Sequence, residues 1–503
     1  MEHERMIASN IRILVANCRR KCARLLTLPL ACSACLFLTG CPGSSTPAQT
    51  VSVGPSVQIF ETTGDQATLL QAQPSVAFAT SGGSGGLVIT VDAATQYQQM
   101  DGFGGSLTDS SAWLIWNKLG ASQQTTLMQQ LFSPSAGIGI SFLRQPMGAS
   151  DFSASGNYSY DDMSAGQTDL NLTNFSVTHD AAYIIPLLKQ ALSINPNIKV
   201  VALPWSPPAW MKSSGTMNGG NMNPAYSPSL AQYFVDFVQA YQQKGIPIYA
   251  LSVQNEPLNS TTGYPSESLT ATGESTFIAN NLGPTLSTAG LGNVKIFGYE
   301  HNWDNMAYPE SVLGSSASQY VAGSSFHCYA GDPSAQSIVE TAFPAKDIWF
   351  TECSGTVGSS FAGDLVWQAE HLLIGATRNW ARSVSLWNLA LDQNSGPING
   401  TCTNCRGVVT IDVSVSPANV NFNVEYYILG HLGKFVIPGA HRIDSNTFGA
   451  GSIEDVAFQN PDGSIVLFVL NSASNAGTFA VSFNGQSFNY TLPAGAVATF
   501  TWK

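Results

Sequence analysis

Charge is scarce in this 503-residue chain. Only 10% of residues are Asp, Glu, Lys or Arg, and the basic kind is the rarer, 20 against 32 acids. A net charge of -12 repels phosphate backbones, which argues against a nucleic-acid partner and for neutral ligands. Low charge comes with 44% hydrophobic residues, so a long disordered chain is excluded as well. Long apolar runs are missing: "LLTLPLACSACLFL" (Leu25 to Leu38) is too short for a comfortable membrane span. Paired metal motifs are missing too. "CTNC" at Cys402 and Cys405 has no second C-x-x-C or H-x-H cluster, so it reads as a small loop disulfide rather than zinc. His327 likewise has no second His or Cys at ligand spacing, and neither metal nor cofactor is expected.

What is present begins with a targeting segment. Basic "RRKCAR" (Arg19 to Arg24) precedes the apolar run, and "LTGC" follows it, so residues 1–41 read as a signal segment. "LTGC" resembles the bacterial lipobox, which makes Cys41 the lipidated first residue of a membrane-anchored protein; the alternative is an ordinary signal peptide with an incidental Cys and a secreted or periplasmic product. Either way the chain is expected to leave a bacterial cytoplasm. Residues 42–55, opening "PGSSTPAQT", read as a linker.

The body alternates in two ways. Residues 56–98 carry strand signals, "SVQIFETT", "SVAFAT" and "GLVITVD". Residues 431–503 carry more, "VAFQN", "SIVLFVLN", "GTFAVSFNG" and "AVATFTW", so one β-sandwich assembled from both ends of the chain is expected. Between them, over 99–430, eight short β-rich runs end in polar or aromatic residues. They are "DGFGGSLTD", "IGISFLRQ", "IKVVALPWS", "IYALSVQNE", "VKIFGYEHN", "SSFHCYA", "DIWFTECS" and "SVSLWNLA". Helix-like stretches separate them, such as "SLAQYFVDFVQAYQQKG", which closes on Gly245. Eight such units predict an α/β fold, a (β/α)8 TIM barrel with its active site at the C-terminal strand ends.

Two acids stand at those ends. Glu256 follows the fourth run and Glu352 the seventh, and paired carboxylates across a barrel mouth are what glycoside hydrolysis requires. A purely structural reading pairs either acid with an Arg such as Arg144; two acids on opposite strands, one preceded by Asn255, weigh against it.

"VQNEP" and "WFTECSG", with "DGFGGSLTDSSA", "PWSPPAWMKSSG", "HNWD", "HCYAG" and "LWNLALDQNSGP" in the same order, resemble glycoside hydrolase family 30, which includes glucosylceramidases and related β-glycanases. The resemblance implies a retaining mechanism with carboxyl groups about 5 to 5.5 Å apart, Glu256 as general acid/base and Glu352 as nucleophile. That division of labour requires Glu256 protonated, its pKa raised by burial and by Glu352, and Glu352 ionised, stabilised by Tyr329 or His327. Asn255 is expected to donate to the sugar 2-hydroxyl, Asp109 to accept from outer hydroxyls, and Trp205 and Trp387 to serve as sugar platforms. Arg144 braces one of the carboxylates. Cys353 points away from the sugar by strand alternation, and whether it pairs with Cys328 is left open.

The expected substrate is a neutral β-glucoside or β-glucan. Endo-β-1,6-glucanase and xylan-directed action are alternatives within the family, and a catalytically idle carbohydrate-binding lipoprotein is one outside it. Few Lys or Arg near the motifs argue against glucuronate-recognising xylan enzymes, and the "TCTNC" loop departs from animal glucosylceramidases. Retention of both acids argues against an idle relative.

Overall fold

A computed structural model describes residues 54–80 and 86–503. The expected signal segment, Cys41 and all but the last two residues of the linker lie outside the described residues. Among the described residues no helix is long and apolar enough to cross a membrane.

Eight parallel strands close into a barrel, and each overlaps one of the eight runs expected from sequence. In chain order they are Gly102–Ser106, Phe142–Pro146, Lys199–Leu203, Ile248–Ser252, Lys295–Asn302, Val321–His327, Asp347–Glu352 and Ala381–Asn388. Side chains alternate between two buried faces, the barrel interior and the helix layer, so their apolar runs are nearly continuous. Phe142, Val201, Ala250, Phe297 and Trp349 fill the interior, with Trp349 stacked on Phe297 at 3.7 Å. Leu143, Val200, Leu251, Ile296 and Phe350 face outward into the main core with the surrounding helices.

Those helices follow their apolar spacing. Ser227–Gln243 buries Leu230, Phe234, Phe237, Val238 and Tyr241 along one stripe. Gly245 at φ +82 then closes it in a Schellman turn, with Gly245 N–H donating to Gln242 O and Ile246 N–H to Tyr241 O.

The N-terminal end of the barrel is plugged by charge. Asp101, buried, accepts from Lys199 Nζ at 2.5 Å, Trp349 Nε1 at 2.7 Å and Tyr249 Oη at 2.8 Å, and pairs with Arg382 at 3.4 Å.

Both chain ends build the second module, as expected. One nine-stranded sheet runs in the order Gln71–Ala77, Ser56–Thr62, Val497–Trp502, Ile465–Asn471, Ile453–Gln459, His441–Ser445, Leu87–Gln99, Gly477–Phe483, Gln486–Leu492. The long strand Leu87–Gln99 pairs with Gly477–Phe483 through its first half and with His441–Ser445 through its second. The sheet therefore folds over itself, bringing Phe479 within 6.0 Å of Phe500 around a core that includes Val57, Ile89, Leu467 and Trp502.

Helix Val424–Gly433 runs across the boundary expected at residue 430, and Gly430 packs tightly within it, where a Cβ would meet Leu70 Cδ2 at 2.5 Å. The same helix seats His431 between Thr499 Oγ1 and Thr62 Oγ1, each at 2.8 Å, and burial pushes its pKa down to about 3. A neutral imidazole thus joins barrel to sandwich.

Candidate active site

Arg144, from the second strand, is the hub of the C-terminal mouth. It shares the inward face with Phe142 and is fully buried. Its guanidinium donates from Nη1 to Glu352 Oε2, and from Nη2 to Asn255 Oδ1 at 2.5 Å and Glu300 Oε2 at 3.2 Å. Trp205 and Trp387, stacked at 4.9 Å, lie beneath it with ring centroids 4.9 and 5.4 Å from the guanidinium carbon. Such a planar fork suits several carboxylates at once.

His327, ending the sixth strand, is the second cation. Nε2 faces Glu300 Oε2 at 3.0 Å, and Nδ1 faces Glu256 Oε1 at 3.4 Å and Glu352 Oε1 at 4.0 Å. Tyr329 Oη donates to Glu352 Oε1 at 2.8 Å, and Asn259 Nδ2 donates to Glu256 Oε2 at 2.7 Å. Ser252 and Thr351 hydroxyls complete Glu300, each at 2.8 Å. One oxygen of Glu256, one of Glu352 and a ring nitrogen of His327 all lie within 4.8 Å of one another.

Strand irregularities aim these groups. Trp349 and Thr351 point inward, so strict alternation would turn Glu352 outward. The pairing with the sixth strand slips between Phe350 and Glu352, and the slip returns Glu352 to the mouth. A similar slip between Tyr299 and His301, with φ of +79 at Tyr299 and +55 at Glu300, brings Glu300 inside. Contrary to expectation, Glu256 does not stand at the end of the fourth strand. The strand stops at Ser252, and Glu256 sits four residues on, at φ +45, with its N–H on Glu300 O at 3.0 Å. A non-glycine residue in that region costs energy and is typical of functional turns.

The electrostatics reverse the expected protonation. Burial would raise the Glu256 carboxyl, but the His327 imidazolium bonded to it, together with His301 and Asn259, holds it at about 2. Burial would lower His327, yet Glu352 and the bonds to Glu256 and Glu300 raise it to about 9. Glu352 is raised above its ordinary value by burial and by Glu256, against the opposing charges of Arg144 and His327. Glu300 is held at about 2 against burial, chiefly by Arg144 and His327. His327 thus favours its protonated form and the adjacent Glu256 its ionised one.

Not every expected residue converges here. Glu256, Glu352, Asn255, His327, Tyr329 and Arg144 do. Asn255 spends Oδ1 on Arg144, which leaves Nδ2 to donate. Asp109 does not: its carboxylate is taken up by Ala154 N–H at 2.7 Å, His179 Nε2 at 2.8 Å, Tyr183 Oη at 2.5 Å and Ser153 Oγ at 3.4 Å. It fastens loops around the site. Trp205 and Trp387 are at the site but only 2% and 3% exposed, stacked on each other and under Arg144, so neither is an open platform.

Both cysteine pairs are bonded, Cys328–Cys353 and Cys402–Cys405, with Cα atoms 5.4 and 5.6 Å apart. The first answers a question the sequence left open. For metal, His327 does find ligand-type neighbours through space, Glu256 and Glu352, which spacing along the chain did not reveal. The donor set fits a cation poorly, since Arg144 already occupies Glu352 and its acidic neighbours draw the imidazole toward the protonated form.

Three participants were missed. Glu300 follows the apolar run "VKIFGY" just as Glu352 follows its own, and that signal was readable. Asn259 and Asp151 lie in loops and carry no such signal. Asp151 Oδ1 is buried with no hydrogen-bond partner among the described residues, and burial, Glu352 and Glu256 raise its pKa.

Comparison with known proteins follows this geometry. Residues 100–436 match the glycosyl hydrolase family 30 TIM-barrel domain, and 439–500 the family 30 beta sandwich domain. An endo-1,6-β-D-glucanase of Neurospora crassa is 38% identical over 393 residues, 75% of this chain and 80% of that protein. The lysosomal acid glucosylceramidase of Mus musculus is 31% identical over 443 residues, 83% and 84% of the two chains. Among solved structures, the endo-β1,6-glucanase BT3312 superposes with a TM-score of 0.81 at 32% identity, covering 89% of this chain and 99% of that one. The chain belongs to glycoside hydrolase family 30 and is a glycosidase.

Proposed function

We propose that this enzyme is a retaining endo-β-1,6-glucanase in which Glu352 is the nucleophile and Glu256 the acid/base. The observation that carries the mechanism is the approach of Glu256 and Glu352 oxygens to within 4.8 Å. It suits the short carboxyl separation of retaining enzymes, about 5–5.5 Å, rather than the about 6.5–9.5 Å of inverting ones. The linkage is supported by the 38% and 32% identities to endo-1,6-glucanases, against 31% to the glucosylceramidase.

The residues divide the chemistry. Arg144 and Tyr329 orient Glu352 for attack on the anomeric carbon. Entry of a neutral sugar strips water from Glu256, whose charge becomes costlier, and the proton crosses from His327 Nδ1 to Glu256 Oε1. Glu256 then gives it to the departing glycosidic oxygen as the C1–O bond breaks and the Glu352 ester forms. With the Glu352 charge consumed, Glu256, now ionised, takes a proton from water. That water attacks C1 and frees Glu352. Asn255 Nδ2 donates to the 2-hydroxyl, a bond that strengthens in the transition state. Asp151, poised at the same charges, accepts from a sugar hydroxyl. Export and anchoring through Cys41 belong to the same reading, supported by the "LTGC" signal.

A substrate panel tests it: β-1,6-glucan (pustulan), laminarin, xylan, glucosylceramide and an aryl β-glucoside. Pustulan is expected to be cleaved fastest, to a ladder of oligosaccharides. Preferred cleavage of glucosylceramide, or release of glucose alone, contradicts the endo-β-1,6 assignment.

A further inference from the structure

A second cavity, of about 280 Å³, opens beside the seventh-strand end. Tyr329 belongs to both sites: its hydroxyl bonds Glu352, while its ring lines the cavity and is 45% exposed. Trp367 lines it too, 39% exposed and held by His371 stacked at 4.7 Å. Two exposed aromatic rings in one hollow are uncommon on a chain that buries most of its apolar side chains.

The polar lining points to what enters. Gln368 is 4% exposed, and its Nε2 donates to Glu425 Oε1 at 3.0 Å, which fixes the amide's orientation. Its Oε1 is then a buried acceptor with no partner among the described residues, a costly state that a hydroxyl donor relieves. The walls are braced: the Cys328–Cys353 disulfide forms part of them, and Gly355–Thr356 pairs with Cys405–Arg406. Arg406 in turn grips Glu425 and Asp364. The "CTNC" loop thereby gains a task, holding the cavity's rim.

We propose that this cavity is a glucosyl subsite on the nucleophile side, taking one neutral hexopyranose unit of a β-1,6-glucan whose next unit lies over Glu352. Its lining contains neither Glu256 nor the loop after it, where the leaving group departs. The aromatic rings take the sugar's apolar face and Gln368 Oε1 takes a hydroxyl. This rests on the endo-β-1,6-glucanase reading and extends it.

The test compares aryl release from an aryl β-gentiobioside and an aryl β-glucoside bearing the same aryl group. In Trp367→Ala the ratio of kcat/KM for the longer substrate to that for the shorter should fall about tenfold, and Trp367→Tyr should restore most of it. An unchanged ratio overturns the subsite. A wild-type enzyme inert on both substrates overturns the function reading and the subsite with it, a result distinct from an active enzyme with an unmoved ratio. Crystals of Glu352→Gln soaked with gentiobiose give a second readout that does not depend on Trp367→Ala folding. A hexose against Trp367 supports the proposal, and both hexoses bound elsewhere overturn it.

Discussion

The two ends of the barrel solve opposite electrostatic problems. At the N-terminal end two carboxylates, Asp101 and Asp347, meet three cations, Lys199, Lys295 and Arg382, with Trp349 and Tyr249 as further donors to Asp101. Burial would raise Asp101, but the charges of Arg382 and Lys199 outweigh it and hold the group below its ordinary value. At the C-terminal end three carboxylates, Glu256, Glu300 and Glu352, crowd around Arg144 and His327; Glu352 is pushed up, as is neighbouring Asp151, while Glu256 and Glu300 are held down. A saturated cluster closes a structure. A cluster short of one cation keeps a proton in play, and this is the signature of a working site.

That contrast can be broken by substitution. The largest effect belongs to Glu352→Gln, expected to lower kcat by about 10⁴-fold or more on any substrate while leaving the melting temperature unchanged or raised, since a buried like charge is removed. Circular dichroism melts and initial rates check both halves. Arg144→Met leaves Glu352 and Glu300 buried without their main cation. It should cost about 3–5 kcal/mol in urea unfolding as well as most of the activity.

At the other end Asp101→Asn should cost about 1–3 kcal/mol with kcat/KM nearly unchanged. Because the folded pKa of Asp101 is depressed, its contribution is full above the ordinary value of 3.8. It is lost as pH falls through the folded value, so wild type and variant should converge in acid. A large loss of kcat/KM in this variant would erase the distinction between the two ends.

The smallest signal is the pH profile of kcat/KM, which reports the free enzyme. Its alkaline limb should fall near pH 9, where the proton held by His327 for Glu256 is lost. Its acid limb should lie above pH 4.5, where raised Glu352 becomes protonated and stops attacking. His327→Gln should pull the alkaline limb down.

How far the sequence reached follows from the same physics. The barrel was legible because each strand announces itself by an apolar run ending in polar residues, and Glu352 stands where its run ends. The sandwich was legible except for strands such as Gln486–Leu492, whose "QSFNYTL" has too few apolar residues to stand out. The site was legible only in part. Asp109 occupies a motif position at the head of a helix, and nothing in the chain says that His179 and Tyr183, about seventy residues on, will claim its oxygens. Glu300 stood at the end of its run as readably as Glu352, but the slips that turn both inward leave no period in a sequence. The protonation pattern was misjudged because it depends on which carboxylate His327 faces, a through-space fact.

The most direct measurement is mass spectrometry of the enzyme inactivated with a 2-deoxy-2-fluoro-β-glucosyl fluoride, an agent that traps a glycosyl-enzyme ester. A single fluoroglucosyl adduct on the peptide containing Glu352 is the expected result. An adduct on Glu256, or none under conditions where the enzyme turns over substrate, contradicts the assignment of nucleophile and acid.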